Sequence, residues 1–379
     1  MWWISFIFLG YTHGARIILP EPVIDVNKHS FLWQQPRNYH QGVIDELAAR
    51  TGPHQFFYII TGDTQYWYKC TPSNYECHRQ TEFCDTGTLQ CQKAQGEYAN
   101  RVQETSFRSL IGQLAKNDLR PKGVIINGDL TQFGHDSELQ KYKTHWTATM
   151  QQVPIYPGLG NHDYANNVNS CGLNHCANRM LTWLRKYLQQ VLHLEQDVHK
   201  STKWLIGNTF SGSMAYSWDQ CAAVGSSCVH FIQLNNYPAY YTEFRWLLAT
   251  WKIGPSFSFL QRDLDKNIGK PVVINFHDFD THFKSQDKER LRKIISNPSY
   301  KIVAIFFAHY HSQVGLHPEK YWCINGRAVP LLYSGSVPAN NYILARLDPN
   351  ANAVAQIYLL HVNDDSSTTV QSLTLNQNC

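Results

Sequence analysis

The residues of this chain best suited to chemistry are carboxylates, carboxamides and imidazoles at the ends of apolar runs. Asp63 follows Phe56–Thr61, Asp129 follows Val124–Ile126, and Asn161 follows Val153–Tyr156. His277 follows Val272–Phe276, and the pair His309 and His311 follows Ile302–Phe307. Continuous apolar runs that end in turn residues read as buried strands. In open α/β sheets ligands bind beyond the carboxyl ends of strands, so these side chains can converge on one site. Taken singly each has an ordinary explanation: Gly-Asp is a common turn, Asn-His-Asp can cap a helix, and a lone histidine is more often structural. Five strand ends bearing such groups in succession are a far more specific signal for a metal site.

The elements between them follow from periodicity. Helical spacing of Val102, Phe107, Leu110, Ile111 and Leu114 ends before Pro121. Asp136 is placed to cap a helix carrying Leu139, Tyr142 and Trp146, and a longer helix is expected over Leu181–Leu194, with Leu184, Leu188, Val191 and Leu192 on one face. Val229–Leu234 reads as a strand and Phe257–Lys266 as a helix; Val329–Tyr333, Tyr342–Leu347 and Val354–Leu360 read as strands closing a sheet. Alternating strands and helices define an α/β layered fold.

The 379 residues, 43% hydrophobic and 16% charged, describe a folded globular chain. The net charge of +4 is mild and spread evenly, and carries no nucleic-acid-binding signature. The apolar run from Trp2 to Gly10 is too short to span a bilayer and suits a signal-peptide core, so residues 1–14 are read as a leader and 15–50 as a lead-in to the main domain. No later stretch is long and apolar enough for a transmembrane segment. Ten cysteines, an even count falling largely in close pairs, point to an oxidising compartment and hence to a secreted, periplasmic or extracellular protein. Cys171 with Cys176 and Cys221 with Cys228 are expected as short disulfides, with Cys323 and Cys379 pinning the C-terminal tail, residues 363–379. Cys70, Cys77, Cys84 and Cys91 fall in a polar, looped insert at about 66–95 whose pairing stays open; the main domain is expected over 51–362.

Gly62-Asp63-Thr64-Gln65, Gly128-Asp129, Gly160-Asn161-His162-Asp163, His277 and His309-Tyr310-His311 together resemble the calcineurin-like metallophosphoesterase superfamily, across about residues 56–312. A second resemblance, to an exported bacterial-type branch, rests on Gly158-Leu-Gly-Asn-His-Asp-Tyr164 and Val229–Tyr237. The first resemblance implies a layered sandwich of two mixed β-sheets flanked by helices, and two divalent metal ions, Mn, Fe or Zn. Asp129 would bridge them; Asp63, Gln65 and His311 would complete one site, and Asn161, His277 and His309 the other. It further implies hydrolysis of a phosphate monoester or diester by in-line attack of a metal-bridging hydroxide. His162 would assist the leaving group, with Asp163 holding its imidazole. Substrates of that class include phosphorylated small molecules, phosphoproteins and phospholipids.

Two positions depart from the family pattern. Asp-x-His is usual where this chain has Asp63-x-Gln65, and Gly is usual where it has Ala308. A carboxamide oxygen is a harder, weaker donor than imidazole, and alanine would be strained if that position needs a positive φ. Around the motifs, His135 is either a substrate contact or a solvent-facing loop residue, and Asp278 and His282 are candidates for orienting the ligands. The aromatic segment Tyr237–Tyr241 with Trp246 and Trp251 is expected to pack. Neither Gly-x-Ser-x-Gly nor Cys-x5-Arg occurs, which removes the usual serine and cysteine nucleophile motifs. The competing readings are an inactive metal-binding or interaction protein on the same fold, and a secreted effector using the same chemistry; retention of Asp129, His162, His309 and His311 argues against decay.

Overall fold

Runs of β-branched and aromatic residues form strands because a pleated surface packs their branched side chains well. The computed structural model describes residues 41–66, 89–147, 153–203, 207–350, 353–362, 368–373, 375 and 379. In chain order the elements are α1 (Gln41–Arg50), β1 (Phe56–Thr61), α2 (Leu89–Ala115), β2 (Gly123–Ile126), α3 (Asp136–Tyr142), β3 (Ile155–Pro157), α4 (His175–Tyr187), β4 (His199–Lys203), β5 (Gly207–Gly212), β6 (Tyr216–Cys221) and β7 (Cys228–Gln233). They continue with β8 (Thr242–Trp246), β9 (Ala249–Ile253), α5 (Phe257–Lys266), β10 (Pro271–Asn275), α6 (Ser285–Ile295), β11 (Lys301–Phe307), β12 (Val314–Ile324), β13 (Arg327–Ser334), β14 (Asn341–Asp348), β15 (Ala353–Val362) and β16 (Thr368–Leu373).

Two six-stranded mixed sheets carry the fold, in the orders β16-β15-β14-β1-β2-β3 and β12-β13-β11-β10-β7-β6. Within the first, β1, β2 and β3 are parallel neighbours; within the second, β7, β10, β11 and β13 are. Parallel strands end on the same edge, so the loops after β1, β2 and β3 leave one sheet together, and those after β10 and β11 leave the other together. The sheets pack face to face, with Tyr58 of β1 and Phe231 of β7 4.6 Å apart between ring centroids. Helix α2 seats Phe107 on Tyr342 of β14 at 4.5 Å. On the second sheet, Leu260 and Leu264 of α5 and Leu291 and Ile295 of α6 form a separate buried cluster with Ile274 and Phe307. Removing such side chains from water stabilises by roughly 1.5–3 kcal/mol each.

Several elements differ from their sequence reading. Helix α2 begins at Leu89, within the stretch expected to be a looped insert. Asp136 is the first helical residue of α3, and the cap position before it is His135. The expected helix Leu181–Leu194 starts earlier, at His175, and passes into a wide turn over Leu188–Leu192; Leu181, Leu184 and Leu188 are buried but Val191 is exposed. A third sheet, β4-β5-β9-β8, was not anticipated. Its strands are short and polar, and it attaches through Trp251, which stacks on Phe210 at 4.4 Å and donates to Asn178 Oδ1 at 2.9 Å. Trp246 lies against His175, while Tyr241 is largely exposed. Disulfides join Cys171 to Cys176, Cys221 to Cys228 and Cys323 to Cys379. The expected leader at 1–14, most of the lead-in to residue 50, Cys70, Cys77, Cys84 and the side chain of Cys91 lie outside the described residues.

Candidate metal centre

The loops after β1 and β2 are stitched together by main-chain bonds, from Asp63 N to Gly128 O at 2.9 Å and from Gln65 N to Asp129 O at 2.8 Å. Both loops turn sharply: Asp63, Gln65 and Asp129 have φ of 50°, 34° and 50°, and His309 after β11 has 73°. Positive φ on such residues costs on the order of 1–3 kcal/mol each and persists only where the surroundings over-determine it. The loop after β3 closes against Asp129: a Cβ at Gly160 would lie 2.2 Å from Asp129 Oδ1, so only glycine fits.

These turns gather the side chains. His277 Nε2 lies 2.9 Å from Asn161 Oδ1, 3.1 Å from Asp129 Oδ2 and 3.2 Å from His309 Nδ1. Asp129 Oδ1 accepts from His162 N at 2.9 Å. His311 Nε2 sits 3.3 Å from Asp63 Oδ1, and Asp63 Oδ2 accepts from His309 N at 3.2 Å. Asp63, Asp129, Asn161, His277, His309 and His311 thus form one cluster, which Gln65 joins through its main-chain bond to Asp129. The backbone of His277 is fixed in turn by the carbonyls of Asn235 and Asn236, and its Nδ1 donates to Asn127 O at 2.8 Å. Asn235 also accepts from Leu159 N at 3.1 Å and donates to Met214 O at 2.7 Å, tying the loop after β3 to the second sheet. The polar end of the run Val229–Tyr237 therefore positions the site, a role that the sequence reading did not assign to it.

Carboxylates and imidazoles shift one another within the cluster. Burial alone would lower the proton affinity of His277, but the adjacent Asp129 carboxylate overrides it and pushes the imidazole pKa up. Burial would raise Asp129, yet His277 and His162 hold it well below the usual carboxylate range. His309 is pushed down, by burial and then by the charge of His277. One oxygen of Asp63 and both amide atoms of Gln65 are buried with no hydrogen-bond partner. Buried polar atoms are ordinarily paired, and each orphan costs about 1–3 kcal/mol. A carboxamide oxygen left unpaired beside carboxylates and imidazoles matches the mixed oxygen and nitrogen donor set of divalent cations.

One expectation is corrected here, and the condition set for Ala308 is not met. Asp163 does not touch the ring of His162. Its carboxylate accepts from Leu130 N, Thr131 N, Gly160 N and Thr131 Oγ1 at 3.0, 2.9, 3.0 and 2.8 Å. Burial and then the Asp129 charge push its pKa up. The ring of His162 is held by Gln132 O, 2.8 Å from Nδ1. Ala308 is not among the residues with positive φ; that conformation falls on His309. Ala308 packs instead against Gly62, where a Cβ would come within 2.4 Å of the alanine methyl. Of the neighbouring candidates, His135 is half exposed and bonded to Glu138 at 2.9 Å, whereas His282 is bonded to buried Asp278 at 2.6 Å and lies beside His309.

Residues 58–313, more than half of the chain, match the calcineurin-like phosphoesterase family model. The chain belongs to that family. Among solved structures, similarity extends to a putative 5'-nucleotidase from Staphylococcus aureus, with 12% identity, a TM-score of 0.41, and coverage of 86% of this chain and 55% of that one. It extends also to the 5'-nucleotidase from Candida albicans, at 12% identity and a TM-score of 0.44, covering 85% and 51%. A third is the calcineurin-like phosphoesterase YfkN from Bacillus subtilis, at 13% and 0.36, covering 85% and 93%. This chain spans about half the length of the two nucleotidase chains. No curated protein matches it in sequence.

Proposed function

We propose that this chain hydrolyses a phosphate monoester or diester with two divalent cations. Asp63, Gln65 and His311 would hold one, Asn161, His277 and His309 the other, and Asp129 both. The observation that carries the reading is the buried Gln65 amide, neither atom of which is hydrogen-bonded, beside Asp63 Oδ1, which faces His311 Nε2 at 3.3 Å. When bound, paired cations supply positive charge for the anionic phosphoryl group and acidify water at neutral pH. The chain's own residues supply the rest. Gln132 O accepts from His162 Nδ1, which leaves Nε2 to hand a proton to the departing oxygen. Asp163 braces the loop on which His162 stands. Three disulfides support export to an oxidising compartment.

Turnover of an aryl phosphate and a bis-aryl phosphate tests the reading. Chelation should abolish it and Mn should restore it; undiminished turnover by metal-free protein would overturn the proposal.

A further inference from the structure

The segment His277–Phe283 is braced far more heavily than its exposed tip requires. Asp278 is fully buried, and its Oδ1 accepts from Asp280 N and Thr281 N at 3.0 and 2.8 Å. Its Oδ2 accepts from His282 N at 3.0 Å and from His282 Nδ1 at 2.6 Å. Two residues on, Asp280 accepts from Tyr333 OH at 2.5 Å, from His317 at 3.1 Å and from Lys288 at 3.5 Å. Phe279 and Phe283 anchor the same segment in the core, Phe279 stacking on Phe307 at 4.5 Å. The product of all this is one rigidly held imidazole. His282 keeps 52% of its side chain exposed while its ring centroid stands 6.2 Å from that of His309.

A carboxylate only accepts, so Nδ1 of His282 carries the proton it gives to Asp278. Nε2 is the ring atom left for a ligand, and among the described residues nothing hydrogen-bonds it. We infer that His282, aimed by Asp278, is a substrate contact that donates from Nε2 to a non-bridging oxygen of the phosphoryl group at the neighbouring centre. Asp278 is the positioning residue: by accepting from Nδ1 it fixes the ring, and Nε2 donates when the ring carries a proton on both nitrogens. This inference rests on the phosphoesterase reading and extends it to one further residue.

The test uses Mn-loaded full-length protein, with inorganic phosphate as the probe. Its affinity is read by calorimetry and by competition against aryl phosphate turnover. A charge-assisted bond to phosphate predicts that His282→Ala weakens phosphate binding and raises KM together, by about 10- to 100-fold, with bound Mn and thermal stability unchanged. His282→Gln, whose amide can still donate, should recover part of the loss, which a merely structural role would not produce. Wild-type phosphate affinity in His282→Ala would overturn this inference alone. Loss of Mn by that variant would overturn it too, by assigning His282 to support of the ligand His309. Failure of the wild type both to bind phosphate and to turn over aryl phosphates would remove the phosphoesterase reading beneath it.

Discussion

The imidazole of His162 is aimed by the main-chain carbonyl of Gln132, 2.8 Å from Nδ1, and not by the carboxylate beside it in sequence. A carbonyl can only accept, so Nδ1 keeps its proton and Nε2 is the atom that exchanges one. His162→Ala should therefore lower turnover by roughly 10²-fold or more, as for a lost general acid, with bound metal unchanged. Asp129→Ala should lose metal and turnover together. Metal loss in His162→Ala equal to that in Asp129→Ala would refute the division of roles.

Asp163 behaves differently from His162 because its bonds are structural. Removing its carboxylate leaves the buried N–H groups of Leu130, Thr131 and Gly160 without an acceptor. At about 1–3 kcal/mol for each unsatisfied group, Asp163→Ala should cost about 3 kcal/mol or more of stability, read as a drop in denaturant midpoint. A variant as stable as the wild type and defective only in turnover would restore Asp163 to a direct part in catalysis.

The strands that carry the site were legible because each is buried on both faces and so reads as an unbroken apolar run, as in β1, β10 and β11. The third sheet was not, since β4 is His-Lys-Ser-Thr-Lys and β8 buries only Phe244. Asp163 misled for a geometric reason. Residues 161–165 wind as a helical turn, and consecutive side chains on a helix do not face each other. The true partner of His162 is a main-chain atom, to which no residue type points. The left-handed turns at Asp63, Gln65 and Asp129 were equally hidden, because their sequences carry no glycine at those positions.

A second buried imidazole, away from the metal centre, makes stability depend on pH. His230 places Nδ1 2.8 Å from Asp219 and Nε2 2.7 Å from Asp263, and Lys270 approaches Asp219 at 2.6 Å. Burial alone would lower the His230 pKa, but the two carboxylates overcome it and raise it. Its stabilisation is thus complete below the unfolded pKa of about 6.5 and is lost as pH climbs through the higher folded value. Asp219 is shifted down, chiefly by its bond to His230, so its share is complete above about 3.9 and is lost in more acid solution. Stability from this cluster is greatest between those limits. In denaturant titrations, the gap between wild type and His230→Gln should be widest near pH 5.5 and should shrink toward pH 9; a gap that stays constant would show that the imidazole is neutral in its clamp.

On the proposed reading, Gln65 should set the metal preference of the centre. It stands where the family pattern has an imidazole, and its amide is buried with neither atom hydrogen-bonded. A carboxamide oxygen leaves the formal charge of the site unchanged while lowering donor strength. Borderline cations such as Zn favour imidazole, whereas harder cations such as Mn accept oxygen donors more readily. The cation held by Asp63, Gln65 and His311 should accordingly bind more weakly than its neighbour and prefer Mn. Gln65→His should tighten that site and move it toward Zn. The backbone at this residue is already left-handed, with φ of 34°, a conformation histidine adopts at least as readily as glutamine, so the exchange adds no backbone strain. Metal titration of both proteins, counting bound equivalents alongside turnover, measures the difference. Two Zn ions bound with equal, high affinity by parent and variant alike would show that Gln65 is not the weak ligand of the pair.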